Sequence, residues 1–385
     1  MKSYQFLVFF SFILAIHLLV NYYIYSRGVA GLEASPKLQL AFKWTMLILT
    51  ISYLLGRFLE KIWFNSIPIT FHWIGAFWFA GMLYTVIALL FIDMARVANA
   101  FLHFLPNVQT TAYLSLKYIT SIVIIAGVVL VVIIGHINAW STKINSSTIE
   151  VSKSANGLKS LKIVAVSDIH LGTIIGPRKT AKLIATINSL NPDIILLAGD
   201  VVDEDLKPVI KQDLGRNFLN LKSTYGTYAI MGNHEYIGGA DAADKYLKAH
   251  NINILRDSVA LINNSFYVVG REDKDKERFT GSKRLEVDSL MCNLNKQLPI
   301  ILLDHQPFNL QNAVKAGTDL QISGHTHHGQ LWPMNYITQA IFEVSKGYKK
   351  IENTNFWVST GFGTWGPPVR IGNRPEILEI TLNFN

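Results

Sequence analysis

The sequence predicts an α/β fold in which an N-terminal transmembrane unit of about four helices precedes a domain built on a mixed or parallel β-sheet. Four long apolar stretches precede residue 143, and the composition changes at about Ile144. After that point, short apolar runs each end in a cluster of Gly, Asp, Asn or His. We therefore predict a transmembrane region over residues 1–143 and a second domain over residues 144–385.

Composition separates these two regions and excludes several classes of protein. The 385 residues are 50% hydrophobic and 16% charged, which argues against a disordered chain and against a fully soluble one. Residues 1–143 contain nine Lys or Arg and three Asp or Glu, so most of the net charge of +8 lies in the apolar region. This distribution favours a membrane over a nucleic-acid partner. The single cysteine, Cys292, excludes an intramolecular disulfide framework.

We predict four transmembrane helices, because a hydrocarbon core of about 30 Å needs roughly 20 apolar residues in helical form. Residues 97–116 are also uncharged, but Pro106 and Asn107 favour an interfacial segment or a re-entrant loop there. The distribution of Lys and Arg favours a multi-pass protein of the cell membrane whose C-terminal domain faces the cytoplasm. The predicted spans are residues 5–26, 38–56, 68–92 and 118–140.

Four histidines and one aspartate in or beside these spans are candidates for a role in the membrane. An ionisable group inside a membrane is a functional candidate, and a charge pair there would mark a transport path. The groups here are isolated in the sequence and lie mostly near span ends, so we expect packing or interfacial roles and no such pair. They are Asp93, His17, His72, His103 and His136.

Five short apolar runs after residue 160 have the length of β-strands and end in side chains that can bind metals. Helix-length segments separate the first three runs, and Pro177 suits the first position of one such helix. In βαβ units the carboxyl ends of the strands meet at one edge, where ligands bind. We therefore expect the following residues to converge: Asp168, His170, Asp200, Asn233, His234, Glu235, His305, His325 and His327.

The side chains in these clusters limit the chemistry. Two carboxylates, one amide and four or five imidazoles, without a thiolate, form a mixed oxygen and nitrogen site that suits Mn²⁺, Fe or Zn²⁺. So many ligands exceed the needs of one tetrahedral ion but suit two ions that share a carboxylate. Two such ions, about 3.5–4 Å apart, can bind phosphate oxygens, lower the pKa of a bridging water and stabilise in-line displacement at phosphorus.

The series DxH, GD, GNHE, H and GHxH resembles the calcineurin-like metallophosphoesterase family. The resemblance covers residue 161 to the C-terminus and implies a two-sheet αββα sandwich, a pair of packed β-sheets flanked by helices. Matched motif by motif, the first-metal ligands would be Asp168, His170 and His327. The second-metal ligands would be Asn233, His305 and His325, with Asp200 bridging both ions. His234 resembles the family's non-ligand histidine, which stabilises phosphoryl charge or protonates the leaving oxygen.

The flanking motifs SDIHLG, GHTHHGQ and GTWGPPVRIGNRPE resemble the membrane-associated branch of that family. This branch includes bacterial phosphodiesterases, and a related group acts as UDP-2,3-diacylglucosamine pyrophosphatase in lipid A biosynthesis. The resemblance implies a membrane-anchored hydrolase that uses two divalent ions, Mn²⁺ first and Fe or Zn²⁺ as alternatives, on a lipid-linked or nucleotide phosphate. The alternatives are a broad phosphodiesterase, a phospholipid phosphatase, or a membrane protein with a regulatory phosphoesterase-like domain.

Two further features leave their roles open at this level. Arg370 and Arg374 are candidate phosphate contacts, and they are equally suited to pinning the C-terminal strand. Residues 271–284 are densely charged, which is typical of a solvated loop, with a mobile lid as the second interpretation.

Overall fold

The computed structural model describes residues 3–385. The chain divides into two compact units. One contains the helices up to Ile137 together with Gly366–Val369, and the other contains Asn138–Trp365 and Arg370–Asn385. The first strand of the second unit begins at Lys143, so the boundary that we placed after residue 143 falls inside that strand.

The helical unit contains four long helices, each with a segment long and apolar enough to cross a membrane. The third helix continues past residue 92 and ends where His103 adopts a left-handed conformation, three residues before Pro106. The uncharged stretch from residue 97 is therefore helical at both ends, and only residues 103–110 separate the third and fourth helices. The bounds are α1 Ser3–Gly31, α2 Pro36–Ile62, α3 Ser66–Leu102 and α4 Thr111–Ala139.

Two glycines allow α2 and α3 to pack backbone against backbone. A Cβ atom on Gly56 would collide with the backbone of His72, and one on Gly75 would collide with the backbone of Tyr53. Small residues at such a crossing let helices approach closely, which is the usual way in which membrane helices associate.

The expectation that the ionisable groups in and beside the spans are isolated is wrong, because two of them have an ionisable partner on another helix. The Glu60 carboxylate lies 3.0 Å from His72 Nδ1, and both side chains are buried. Arg27 Nη2 lies 2.7 Å from the carboxylate of Asp93. The partners stand 12 and 66 positions apart in the sequence, so no local pattern could reveal either pair.

The second unit contains two six-stranded sheets. The strands of the first sheet are β1 Lys143–Val151, β2 Ser160–Val166, β3 Ile194–Ala198, β4 Thr227–Ile230, β5 Asn253–Ile254 and β12 Glu376–Phe384. Those of the second are β6 Ser258–Ile262, β7 Phe266–Gly270, β8 Ile300–Leu303, β9 Leu320–Ser323, β10 Gly347–Ile351 and β11 Thr354–Val358. The helices are α5 Pro177–Ser189, α6 Leu206–Lys211, α7 Asn233–Gly238, α8 Ala240–Lys248, α9 Lys276–Thr280, α10 Val287–Met291, α11 Leu310–Ala316 and α12 Asn335–Ile341.

Parallel pairing at the centre of each sheet aligns the strand ends that matter for the site. The first sheet has the order β1-β12-β2-β3-β4-β5, with β2, β3, β4 and β5 mutually parallel. The second has the order β10-β11-β9-β8-β7-β6, with β7, β8, β9 and β11 mutually parallel. The last strand, β12, lies between β1 and β2 and runs parallel to β1 and antiparallel to β2.

The two sheets pack face to face through one apolar layer, to which β2 gives Ile163, β3 gives Leu196, β8 gives Ile301 and β9 gives Ile322. A second cluster lies between the first sheet and α5 with α8, and a third between the second sheet and α10 with α11. Each sheet thus buries one face on the other sheet and one on helices. The predicted αββα sandwich, which follows a helical unit in the sequence, is confirmed.

Candidate dinuclear metal centre

The candidate centre is built where five strands end. Asp168 follows β2, Asp200 follows β3, Asn233 follows β4, His305 follows β8 and His325 follows β9. Because these strands are parallel within their sheets, their carboxyl ends lie at the same edge. The structure brings together all seven residues that the motif comparison implied as ligands, in two neighbouring groups.

The first group contains Asp168, His170 and His327, whose ligand atoms all lie within 4.8 Å of one another. The Nε2 atoms of the two histidines face each other at 3.0 Å, and His327 Nε2 is 3.4 Å from Asp168 Oδ1. All three residues are buried. Burial lowers the pKa of His327 well below its ordinary value, so this imidazole is neutral and keeps a lone pair for a cation.

The second group contains Asp200, His305 and His325 in the same close arrangement, with Asn233 between the two histidines. Asn233 Oδ1 is 3.2 Å from His305 Nε2 and 2.9 Å from His325 Nδ1. His305 Nδ1 lies 2.8 Å from the Ala198 carbonyl, which can only accept a hydrogen bond. The proton therefore sits on Nδ1, and Nε2 is the atom that faces the group as a ligand when the ring is neutral.

Asp200 lies between the two groups, as a bridging carboxylate must. Its Oδ2 is 3.1 Å from His305 Nε2 in the second group and 3.9 Å from His170 Nε2 in the first. Burial would raise the pKa of Asp200, but the nearby positive charges of His305 and His234 hold it well below its usual range. The carboxylate is therefore charged, and one oxygen can contact both groups.

Backbone geometry at the centre departs from ordinary helix or strand conformations. Asp168, His170, Asp200, His325 and His327 all adopt left-handed conformations, with φ between 43° and 69°. Each such residue other than glycine costs on the order of 1–3 kcal/mol and persists only where its surroundings enforce it. Backbone hydrogen bonds between neighbouring turns hold these conformations here. For example, the N–H of Asp168 donates to the Gly199 carbonyl at 3.0 Å.

His234 is placed as a protonated group beside the centre rather than within either group of ligands. Its Nδ1 donates to Asp203 Oδ1 at 2.9 Å, and its backbone N–H donates to Asp200 Oδ1 at 2.9 Å. Burial would lower the pKa of His234, but the charge of Asp200 and the bond to Asp203 raise it to about 10. The ring is therefore an imidazolium at neutral pH.

Asp203 and Glu235 carry functional contacts that the sequence analysis did not assign. Asp203 holds the Nδ1 proton of His234, and the available signal was an acidic residue three positions after Asp200. Glu235 accepts the backbone N–H groups of Asp200, Val202 and Gly232 at 2.7–3.1 Å, so it ties the turns after β3 and β4 together. Burial raises the pKa of Glu235 to about 7.

The two arginines lie in different environments. Arg370 is fully buried, and its guanidinium donates to the carbonyls of Thr360, Gly361 and Gly363 at 2.6–3.1 Å. These contacts favour the pinning role over phosphate binding. Arg374 is exposed, and its Nε donates to the Ser141 carbonyl at 3.1 Å.

The segment of residues 271–284 is not a solvated loop at its start. Arg271, Glu272 and Asp273 are buried, which overturns that expectation for these residues. Arg271 and Arg284 both bind the carboxylate of Asp304, at 3.0 and 2.8 Å, immediately before His305. Only the part around α9 has no buried residue.

Comparisons with known proteins agree with this arrangement. Residues 161–329 match the model of the calcineurin-like phosphoesterase family. A metallophosphoesterase of Aquifex aeolicus is 32% identical over 251 residues, which cover 64% of this chain and 94% of that protein. A transmembrane protein with a metallophosphoesterase domain from Danio rerio is 28% identical, with 98% of this chain and 89% of that protein covered. A metallophosphoesterase of Campylobacter jejuni is 28% identical, with 98% of both chains covered.

Proposed function

Because the chain belongs to the calcineurin-like phosphoesterase family, we propose that it is a membrane-anchored hydrolase that cleaves a phosphoester or pyrophosphate bond in a lipid-linked substrate with two metal ions. The observation that carries this proposal is the convergence of two ligand groups on the single carboxylate of Asp200. Asp168, His170 and His327 would hold one ion, and Asn233, His305 and His325 the other.

Two divalent ions in such a site bind phosphate oxygens and supply a hydroxide-like nucleophile at neutral pH. The chain's own residues do the rest. His234, an imidazolium held by Asp203, can donate a proton to the leaving oxygen or stabilise charge on the phosphoryl group. Asp203 keeps the Nδ1 proton in place, so the proton available for donation is the one on Nε2.

Aromatic side chains beside the centre support a substrate with an apolar or planar portion. Trp365 lies beside His234 with 6.1 Å between ring centres, and it is exposed. Beside the second ligand group, the ring centre of Phe342 lies 5.8 Å from that of His325 and 4.8 Å from that of Phe308. Lys274 Nζ lies 4.0 Å from the centre of the Phe308 ring and adds a positive charge that suits a phosphate or nucleotide group.

For the substrate, we propose UDP-2,3-diacylglucosamine or a chemically similar lipid pyrophosphate, with Mn²⁺ as the ion in the cell. The four apolar helices support a lipid-linked substrate, since they keep the domain at the bilayer where such a molecule resides. The excess of Lys and Arg on the side of the termini supports a cytoplasmic catalytic domain. A broad phosphodiesterase or phospholipid phosphatase would use the same centre.

The test is hydrolysis by the full chain in liposomes, after removal of metals and addition of Mn²⁺, Fe²⁺ or Zn²⁺. We expect Mn²⁺ to restore cleavage of the lipid pyrophosphate, with weaker cleavage of a phospholipid and of bis(p-nitrophenyl) phosphate. Asp200→Asn serves as the inactive control. Cleavage of soluble nucleotides alone, at a rate unaffected by lipid, would contradict the lipid-linked substrate while leaving the hydrolase class intact.

The buried pair of Glu60 and His72 favours a second candidate function, in which the helices regulate the phosphoesterase domain. A buried ionisable pair inside apolar helices costs desolvation energy that an anchor alone does not require. A change in the hydrolysis of bis(p-nitrophenyl) phosphate on breaking this pair would support regulation, and an unchanged rate would support an anchor.

A further inference from the structure

Residues 331–342 of the phosphoesterase domain form an uncharged segment with several large apolar side chains exposed at the surface. This segment contains no charged residue, and α12 within it has no buried residue. Four of its large side chains are between 46% and 61% exposed: Trp332, Tyr336, Ile337 and Ile341. Ile337 and Ile341 are four positions apart and therefore lie on one face of the helix.

Exposed apolar groups of this density need a partner, because soluble surfaces seldom leave contiguous apolar patches to water. The segment is also fixed in place rather than loose. The Ser345 hydroxyl donates a hydrogen bond to Thr338 Oγ1 at 2.8 Å, and the same hydroxyl lies 2.9 Å from His328 Nδ1. The backbone N–H of Trp332 donates to the Ile371 carbonyl at 2.9 Å. The apolar face is thus held rigidly beside the turn that carries His327.

The residues around this face have the composition of a membrane interface. Trp and Tyr concentrate where a bilayer meets water, because their rings have an apolar body and a polar edge. Three lysines lie five to nine residues after the end of the helix: Lys346 and Lys350 are exposed, and Lys349 is paired with Glu343 at 2.9 Å. Lysines near a membrane surface gain about 1 kcal/mol each from anionic headgroups.

We propose that Trp332 and the exposed face of α12 form an interfacial docking surface that rests in the headgroup region of the bilayer. The bilayer is the occupant that the chain itself makes available, because the last apolar helix ends at Ala139 and β1 begins at Lys143. Because this connection is short, the docking surface meets the bilayer at a high effective concentration. The inference goes beyond the proposed substrate and rests only on the membrane anchor. Docking would bring lipid-linked phosphates to the edge of the domain that carries the metal centre.

The test uses the full chain in liposomes with Cys292→Ser as background and Ile337→Cys labelled with an environment-sensitive fluorophore. Ala242→Cys, an exposed position on α8, is the matched control. We expect a blue shift at position 337 and strong quenching by lipids with a nitroxide near the headgroup, increased by phosphatidylglycerol, and neither effect at position 242. An aqueous spectrum without quenching at position 337 would overturn the proposal. Shielding that appears in detergent and grows with protein concentration would also overturn it, in favour of a second copy of the chain.

A second measurement links the surface to turnover. Ile337→Ser combined with Ile341→Ser should raise the apparent KM for a lipid substrate in liposomes several-fold and leave cleavage of bis(p-nitrophenyl) phosphate unchanged. An unchanged KM for the lipid would contradict a role in presenting substrate. Because the fluorescence experiment requires no hydrolysis, it remains decisive if the proposed substrate is wrong.

Discussion

The helical unit and the phosphoesterase domain both bury ionisable side chains, but they surround them differently. In the helical unit, the buried Glu60 faces His72 and the partly exposed Arg27 faces Asp93, so each of these groups has a partner of opposite character. In the phosphoesterase domain, two imidazole Nε2 atoms face each other at 3.0 Å. An acid beside a base can satisfy itself by a hydrogen bond or an ion pair, whereas imidazole nitrogens that face each other beside a carboxylate suit a bound cation. This difference in surroundings distinguishes the candidate metal centre from the ion pairs of the helical unit without reference to any relative.

The largest expected effect comes from removing the charge that joins the two ligand groups. Asp200→Asn should abolish hydrolysis and reduce the bound metal below two ions per chain, because an amide cannot bridge two cations. Metal content by mass spectrometry and turnover measured on one preparation check this. Asp213→Asn, an exposed aspartate exchanged in the same way, should change neither. Two tightly bound ions in Asp200→Asn would show that the bridge lies elsewhere.

The next effect separates proton transfer from metal binding. His234→Ala should keep both ions and lower turnover by about 10²–10⁴-fold, the range for acid–base groups. The loss should be smaller for a p-nitrophenyl ester, whose leaving group needs no proton, than for an alkyl ester. Loss of metal in this variant would place His234 among the ligands and contradict its assigned role.

Breaking the pair in the helical unit should affect stability and spare the chemistry. His72→Ala removes the nearest partner of the buried Glu60 carboxylate and leaves Arg57 Nη1 at 3.9 Å, so the cost should be at most that of breaking a buried pair, about 3–5 kcal/mol. Hydrogen exchange of α2 and α3 should accelerate, while hydrolysis of a soluble ester stays unchanged. Adding Glu60→Gln should restore much of the protection. A changed hydrolysis rate would join the two regions functionally and support the regulatory function.

The last effect depends on pH and leaves catalysis untouched; it concerns Lys179, a buried amine on α5 outside the centre. Burial and the nearby charge of Arg370 lower the pKa of Lys179 from 10.5 to about 7. Between these values the unfolded chain holds the extra proton, so the free energy of unfolding rises with pH, and below about pH 7 the cost of the buried charge is complete. That cost is a few kcal/mol, at about 1.4 kcal/mol per pH unit.

Lys179→Met should therefore raise the unfolding temperature at pH 6 and approach the wild type by pH 10. The matched control is Lys182→Met. Lys182 is exposed, and its Nζ donates to the Trp140 carbonyl at 2.8 Å, as the Nζ of Lys179 donates to the Ala139 carbonyl at 3.0 Å. Equal differences at both pH values would show that Lys179 stays protonated throughout.

The strand ends were predictable because each carries its signal locally. An apolar run that stops at Asp168, Asp200 or His305 indicates a strand and a ligand in one short stretch, and parallel sheets then bring the ends together. What could not be predicted depends on contacts between distant segments. Asp203 is an ordinary loop residue until His234 lies 2.9 Å away, and Glu60 is an ordinary helix residue until α3 brings His72 against it.

The position of β12 has a consequence for how the protein is made. This strand, residues 376–384, lies between β1 and β2, and it leaves the ribosome after the other eleven strands. The first sheet cannot close until synthesis has passed that point, whereas α1 to α4 can enter the membrane much earlier. Until β12 has been synthesised, β1 and β2 of the nascent domain have unpaired edges. Unpaired strand edges favour aggregation and chaperone binding. Synthesis of the four apolar helices therefore precedes completion of the first sheet, whose strands β2 and β3 lead into Asp168 and Asp200.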